Sequence, residues 1–231
     1  MSATASLGAI FLWDVENGLA QIDKFLYSDV EYIKAGALLA IGLVTSGVKN
    51  EADPALALLS EQVNCESEVM RVASILGLGI AYAGTGRQEV LDLLLPLVGD
   101  TGITMELSSL AALSCGLVFA SSCNGDITST ILQTFMEREE SNLKDPYARL
   151  MAVGLSLLFL GKQEAAEAPL ETLKVIENPL AKQAEVMLEI CAYAGTGNVL
   201  KIQKMLHYCN DHLDSDKEDD TYQGFAELEL Q

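Results

Sequence analysis

Leu38-Leu-Ala-Ile-Gly-Leu-Val-Thr-Ser-Gly47 is an uncharged run of small and aliphatic residues, and it returns as Ile75-Leu-Gly-Leu-Gly-Ile-Ala-Tyr-Ala-Gly84. Further copies occupy Ala112 to Ser121, Ala152 to Gly161 and Val186 to Gly195. Their closing positions, Gly47, Gly84, Ser121, Gly161 and Gly195, stand 37, 37, 40 and 34 residues apart. Self-similarity at that period marks a repeat architecture in which neighbouring units share one continuous core.

Working outward from the motif, each unit reads as two helices of different character. The motif helix is apolar or tiny nearly all round, which in a soluble chain means burial on both sides. Glycine inside a helix costs roughly 1 kcal/mol relative to alanine, so Gly36, Gly42, Gly77 and Gly79 require compensation from close backbone approach between adjacent motif helices. The second helix is bulkier and amphipathic: Gly18 to Tyr27, Asp53 to Val63, Glu89 to Val98, Asp126 to Glu139, Gln163 to Ile176 and Asn198 to Tyr208. Pro54 suits a first helical turn. Ala-Gly-Thr-Gly, at Ala83 to Gly86 and again at Ala194 to Gly197, supplies left-handed positions where a helix stops. In Cys123-Asn-Gly-Asp126, Asn124 or Asp126 offers an N-cap.

The expectation is an all-α, curved α-solenoid of about five to six helix hairpins, with small-residue helices inside and bulky amphipathic helices outside, part of a toroid. It spans 1–213, and 214–231 is expected to be an acidic, flexible tail because Asp214, Asp216, Glu218, Asp219 and Asp220 cannot build a core. Tyr222 to Leu230 reads as a short amphipathic piece at its end. A weak motif copy at Ala5 to Trp13 puts the start of the chain inside a repeat, and neither end shows a polar capping unit. A fragment of a larger protein is therefore expected.

Charge narrows the function classes. With 14 Lys and Arg against 33 Asp and Glu, a formal net charge of −19 argues against nucleic acid, whose phosphates require clustered cations. No secretory leader is visible. Leu107 to Gly125 is uncharged, but its serines and its shorter sister copies speak against a membrane span. Cys65, Cys115, Cys123, Cys191 and Cys209 have no metal-ligand spacing and read as reduced packing residues of an intracellular protein. His207, Cys209 and His212 do not converge on one helix face. No phosphate loop or dinucleotide fingerprint occurs, and a catalytic lumen would need paired carboxylates, for which the motif helices offer little beyond Glu189. No catalytic residue, cofactor or metal is expected.

Attention then shifts to the outer helices. From Asp126, the positions Thr130, Gln133 and Glu137 share one helix face, opposite Ile127, Ile131, Leu132 and Phe135. Glu89 and Asp92 begin the preceding outer helix, and Glu164, Glu167 and Glu171 line the following one. Three acidic ridges with apolar residues between them complement an apolar patch ringed by basic residues. A purely structural solenoid whose acidic face meets only water is the alternative.

Several stretches carry a resemblance: Lys34-Ala-Gly-Ala-Leu-Leu-Ala-Ile-Gly42, Ile75 to Gly84, Leu94-Leu-Pro96, Leu12-Trp-Asp14, Cys123-Asn-Gly-Asp-Ile-Thr128 and Cys191-Ala-Tyr-Ala-Gly-Thr-Gly197. Together they resemble the proteasome/cyclosome-repeat family, and within it the smaller of the two large non-ATPase scaffold subunits in the base of the proteasome regulatory particle. The resemblance implies a non-catalytic toroid segment of the cytoplasm and nucleus. It implies docking of ubiquitin and polyubiquitin and of the ubiquitin-like domains of shuttle factors, with a ubiquitin-specific deubiquitinase nearby and contact with the proteasomal ATPase subunits. Carried over residue by residue, the family's receptor positions on the central outer helix match Asp126, Gln133 and Glu137. Gln133 is an amide where some relatives have an acid. A second ubiquitin-like site, for the deubiquitinase, falls near Glu16, Asn17 and Ala20.

Overall fold

The computed structural model describes residues 1–49, 51–210 and 221–229. Along the chain run α1 (Ser2–Ile10), α2 (Val15–Leu26), α3 (Glu31–Val44), α4 (Pro54–Ser60), α5 (Glu68–Ala81), α6 (Gln88–Gly99) and α7 (Met105–Val118). They are followed by α8 (Gly125–Glu137), α9 (Glu140–Leu143), α10 (Ala148–Leu158), a 3-10 turn (Gln163–Ala166), α11 (Glu167–Val175), α12 (Pro179–Tyr193), α13 (Val199–Asn210) and α14 (Thr221–Glu229). There is no strand among the described residues. The architecture is an α-solenoid: α1, α3, α5, α7, α10 and α12 stack in that order, and α2, α4, α6 and α11 each pack on the motif helix that follows. One core runs from Ile22 to Tyr193 without interruption.

Small residues let the motif helices meet backbone to backbone. A Cβ at Gly42 would lie 2.5 Å from Gly77 Cα, and one at Gly36 would lie 2.5 Å from Met1 O. Gly79 leaves room for Ser114, whose hydroxyl donates to Ile75 O at 2.9 Å across the interface. The expected compensation for helical glycine is thus present.

Two hydrogen-bond ladders close the ends of the stack. At the C-terminal ends, successive left-handed turns from Gly84 onward donate to the next motif helix: Gly84 N to Leu117 O and Gly86 N to Val118 O, both 2.9 Å, then Ser121 N to Leu157 O at 2.9 Å and Cys123 N to Leu158 O at 3.0 Å. Gly161 N continues the series to Cys191 O at 2.9 Å. These bonds satisfy carbonyls that a helix end leaves orphaned. Ser121 and Cys123 hold φ of 59° and 55° without being glycine, a strain of roughly 1 kcal/mol each that two hydrogen bonds of about 1 kcal/mol each offset. At the N-terminal ends, Ser67 Oγ, at the N-cap position of α5, donates to Glu31 of α3 at 3.1 Å, and Thr104 Oγ1, capping α7, donates to Glu68 of α5 at 2.7 Å.

Several helix bounds differ from the expected ones. The helix expected from Asp53 to Val63 is only α4: Asp53, at φ 44°, stays outside its start, and the chain from Glu61 to Val63 runs on as turns. Asp53 accepts the Tyr82 hydroxyl and meets the Arg87 guanidinium. Gln163, expected to open an α-helix, has φ 47° and starts a 3-10 turn instead. Residues 211–220, which take in His212 and the start of the expected tail, lie outside the described residues. The segment after them is α14, which packs on α12 and α13 much as α12 packs on α10 and α11. Ala226 is fully buried with Val186 and Met205, and Phe225 packs beside them. An alanine and an aromatic next to each other give this short piece a face that the surrounding acids hide in composition.

No disulfide joins any of the five cysteines, all of which are among the described residues. Burial pushes the Cys115 thiol up to about 12, which keeps it protonated and inert. No described helix is long and apolar enough to cross a membrane.

A candidate docking wall on the outer helices

Helix α8 is set by its own sequence. Asn124 Oδ1 caps it by accepting Ile127 N at 3.0 Å. Ile127 and Ile131 are fully buried, with Leu132 and Phe135 on the same side. This rotation leaves Asp126, Gln133 and Glu137 exposed and Thr130 half-buried, as the helical spacing requires. The Thr130 hydroxyl donates back to Asp126 O at 2.8 Å, and Gln133 Nε2 donates to Glu137 Oε1 at 2.7 Å. The amide therefore steadies the neighbouring carboxylate and still presents its own carbonyl outward.

Arg138 ends the helix. It is 8% exposed and turns inward, donating through Nη1 and Nη2 to the backbone carbonyls of Asp100, Thr101 and Ile103. Sequence reading extended α8 to Glu139 and passed over this residue. A lone arginine in Glu137-Arg-Glu-Glu140 reads as a surface charge, and only the α6–α7 loop reveals its role.

Flanking helices α6 and α11 both touch α8. Glu89 and Asp92 are exposed on α6. Glu89's own backbone N–H and then the Arg87 guanidinium hold its carboxyl below the usual range, and Asp92 accepts Gln88 Nε2 at 2.9 Å. Glu164 lies in the 3-10 turn, Glu167 opens α11, and both are exposed. Glu171 pairs with Lys174 at 2.6 Å.

The three ridges are not level. Gly99, the end of α6, faces Thr130 of α8, and Thr134 Oγ1 donates to Val98 O at 3.3 Å. At 1.5 Å rise per residue, Asp92 lies about 10 Å before Gly99, level with the start of α8 near Asp126. Gln133 and Glu137 extend beyond the end of α6, alongside the α6–α7 loop. Asp126 and Glu167 lie in the first turns of their helices, where the helix dipole favours anions, and Asp92 lies one turn into α6. Glu137 stands apart, about 16 Å along α8 from Asp126.

The second group of residues sits on α2. Glu16, Asn17 and Ala20 are exposed, and Asn17 Nδ2 donates to Asp14 at 3.0 Å. Ala20 edges a groove of about 280 Å³ floored by Leu19, Ile22, Leu26 and Leu58, with Asp23 on the rim. This apolar floor was hidden from sequence reading because Leu58 comes from the next hairpin.

Elsewhere, Glu189 does not face an open concave wall. It is 2% exposed and receives Lys201 and Lys204 from α13. Burial opposes its ionisation, but these hydrogen bonds and charges outweigh it and keep the carboxyl below the usual range. Among the described residues, no group of His, Cys, Asp and Glu is arranged to hold a metal ion.

Residues 73–106 match the proteasome/cyclosome repeat, a span that runs from within α5 to the start of α7. Along 99% of its length the chain is 55% identical to the 26S proteasome regulatory subunit rpn1 of Schizosaccharomyces pombe, over 230 residues that make up 26% of that protein. It is 45% identical to the 26S proteasome non-ATPase regulatory subunit 2 of Dictyostelium discoideum, covering 100% of this chain and 25% of the relative. The non-ATPase regulatory subunit 2 homolog A of Arabidopsis thaliana is 43% identical over 229 residues, again 25% of the relative. The chain is therefore homologous to these regulatory subunits and spans about a quarter of their length.

Proposed function

We propose that this chain is a non-catalytic scaffold and receptor segment of a proteasome regulatory particle, and that its α6–α8–α11 wall docks ubiquitin, polyubiquitin and the ubiquitin-like domains of shuttle factors. The observation that carries the reading is the exposed face of α8, where Asp126, Gln133 and Glu137 stand clear of a core-packed opposite side. Homology to 26S regulatory subunits supports the scaffold role.

In this reading, an apolar patch on the partner covers the apolar ground between the helices and supplies most of the affinity. Asp126, Asp92 and Glu167 orient its basic rim at one end of α8, and Glu137 does so at the other. The stagger of α6 makes the wall asymmetric, so a partner binds in one orientation. A site this small and exposed binds single ubiquitin weakly, and chains gain by multivalency. The α2 groove beside Glu16, Asn17 and Ala20 is the second docking place, for the ubiquitin-like domain of a ubiquitin-specific deubiquitinase. Contacts with the proteasomal ATPase subunits, a toroidal whole and a cytoplasmic and nuclear location belong to the same proposal.

The experiment is a residue-resolved NMR titration of the chain with ubiquitin, in parent and in Asp126→Lys/Glu137→Lys. Localised shifts on α6, α8 and α11 that vanish in the double variant, with the helical spectrum unchanged, support the reading. Shifts that persist undiminished, or no localised shifts in the parent, reject it.

A further inference from the structure

Beyond the exposed face of α8, the C-terminal ends of α8 and α11 enclose a groove of about 400 Å³ lined by Phe135, Met136, Arg138, Glu140, Val175 and Glu177 among others. The groove takes its two sides from segments nearly forty residues apart, so beyond the flanking Glu137 and the inward Phe135 its lining carries no mark in the sequence. Two of its lining side chains are apolar and unusually open for a wall that otherwise exposes polar groups: Met136 is 59% exposed and Val175 is 80% exposed. An apolar pair standing out of an acidic surface marks a contact site.

We infer that this groove docks an extended peptide segment in which apolar and basic residues alternate. Three observations select that occupant. The rim is acidic: Glu140 and Glu177 line it, and Glu137 and Glu139 flank it in sequence, so a basic partner is electrostatically matched. Glu140 pairs with Lys144 at 3.0 Å with both side chains exposed, and such a pair contributes little and yields to another cation. The one cation on the floor, Arg138, spends its Nη1 and Nη2 on three backbone carbonyls. Its Nε is buried as well, so the floor presents no accessible cation to repel a basic partner. Alternation follows from the extended backbone, since successive side chains then point to opposite sides. One set meets Met136 and Val175, and the other meets the glutamates. The proposal shares Glu137 with the ubiquitin-like reading and uses neither Asp126 nor Gln133.

The test is a fluorescence-polarisation titration of the chain with a labelled eight-residue peptide alternating Leu and Arg, against a Leu and Glu peptide of the same length. Saturable binding of the first, none of the second, and at least a tenfold weakening by Val175→Asp are expected. Val175 is largely exposed, so that variant keeps its fold. Glu177→Lys provides a second variant, expected to weaken binding in a salt-dependent way. Asp126→Lys leaves peptide binding unchanged while weakening ubiquitin, which separates failure of one proposal from failure of the other. Equal binding of both peptides, no saturable binding, or binding indifferent to Val175→Asp and Glu177→Lys overturns the inference. A Val175-dependent dimer of the chain in sedimentation also overturns it, since the occupant would then be a second copy.

Discussion

Gly154→Ala tests the backbone contact on which the stack depends. In a helix interior this substitution normally stabilises, by about 1 kcal/mol from propensity alone. Here the added Cβ would sit 2.7 Å from the Ala112 carbonyl carbon and 2.9 Å from Leu113 N, and nearer still to Ala112 O. All three are backbone atoms of α7, so no flexible side chain can move aside. Restoring ordinary contact, which begins at 3.4 Å, requires α7 and α10 to part locally by roughly 1 Å. A gap of 0.5–1 Å forfeits a quarter to a half of each dispersion contact. Ala112, Cys115, Met151 and Leu155 are all within 1% of full burial, so the loss is felt by the whole interface. Overpacking of this kind costs about 1–3 kcal/mol, and rigid backbone on both sides puts this site at the upper end. After the propensity gain, a net loss of about 2 kcal/mol is expected. Gly99→Ala is the contrast: its Cβ would meet only Thr130 Cγ2 at 3.5 Å, and no loss is expected. The assay is urea unfolding followed by circular dichroism, with hydrogen exchange to localise the effect to α7 and α10, since repeat arrays can unfold in parts. A Gly154→Ala chain as stable as its parent, or no less stable than Gly99→Ala, refutes the argument.

Asn124→Ala removes the cap of α8 and is expected to cost about 1 kcal/mol, read as faster exchange of the Ile127 amide. Arg138→Met strips the hydrogen bonds from the Asp100, Thr101 and Ile103 carbonyls and is expected to cost about 1.5–3 kcal/mol, with the α6–α7 loop loosening first in exchange experiments. Glu189, held below the usual carboxylate range in the folded chain, contributes stability that is complete above its unfolded pKa, about 4.3, and is lost as pH falls through its lower folded value. Protection of α13 should therefore drop in that acid window, and Glu189→Gln should remove this part of the pH dependence; an unchanged acid profile in the variant would count against the ion pair.

Period and composition reveal those parts of the fold that each unit carries within itself. Gly42 and Gly79 signal close approach because glycine is costly in a helix without it, and Gly84 and Gly86 signal left-handed turns because few other residues accept that backbone. Features made between units leave no such mark. Glu31 and Ser67 form one rung of a ladder, yet each alone reads as an ordinary first-turn acid and an ordinary cap. Glu189 occupies a motif position and so reads as facing the concave wall, whereas its partners Lys201 and Lys204 come from the helix after the turn. The candidate wall follows the same division. The shared face of Asp126, Gln133 and Glu137 is a matter of helical spacing within α8, but the stagger of α6 depends on where Gly99 meets Thr130, and periodicity carries no information about that.

The proposed docking face falls on the second wall for a physical reason. Motif helices are covered on both sides and must keep small residues wherever backbones touch, so almost any recognition side chain there would cost packing. Second-wall helices bury one face and are free to vary the other. Helix α8 is also pinned at both ends: Cys123 N reaches Leu158 O at 3.0 Å just before the Asn124 cap, and Arg138 ties its far end to the preceding hairpin. Asp126 and Glu137 are therefore held at a fixed separation before any partner arrives, and association need not be charged with ordering the helix. Loosening either end, by Asn124→Ala or Arg138→Met, should then weaken ubiquitin docking even though neither residue belongs to the exposed face. Affinity unchanged in both variants, with α8 shown by hydrogen exchange to be loosened, would mean that preorganisation contributes nothing.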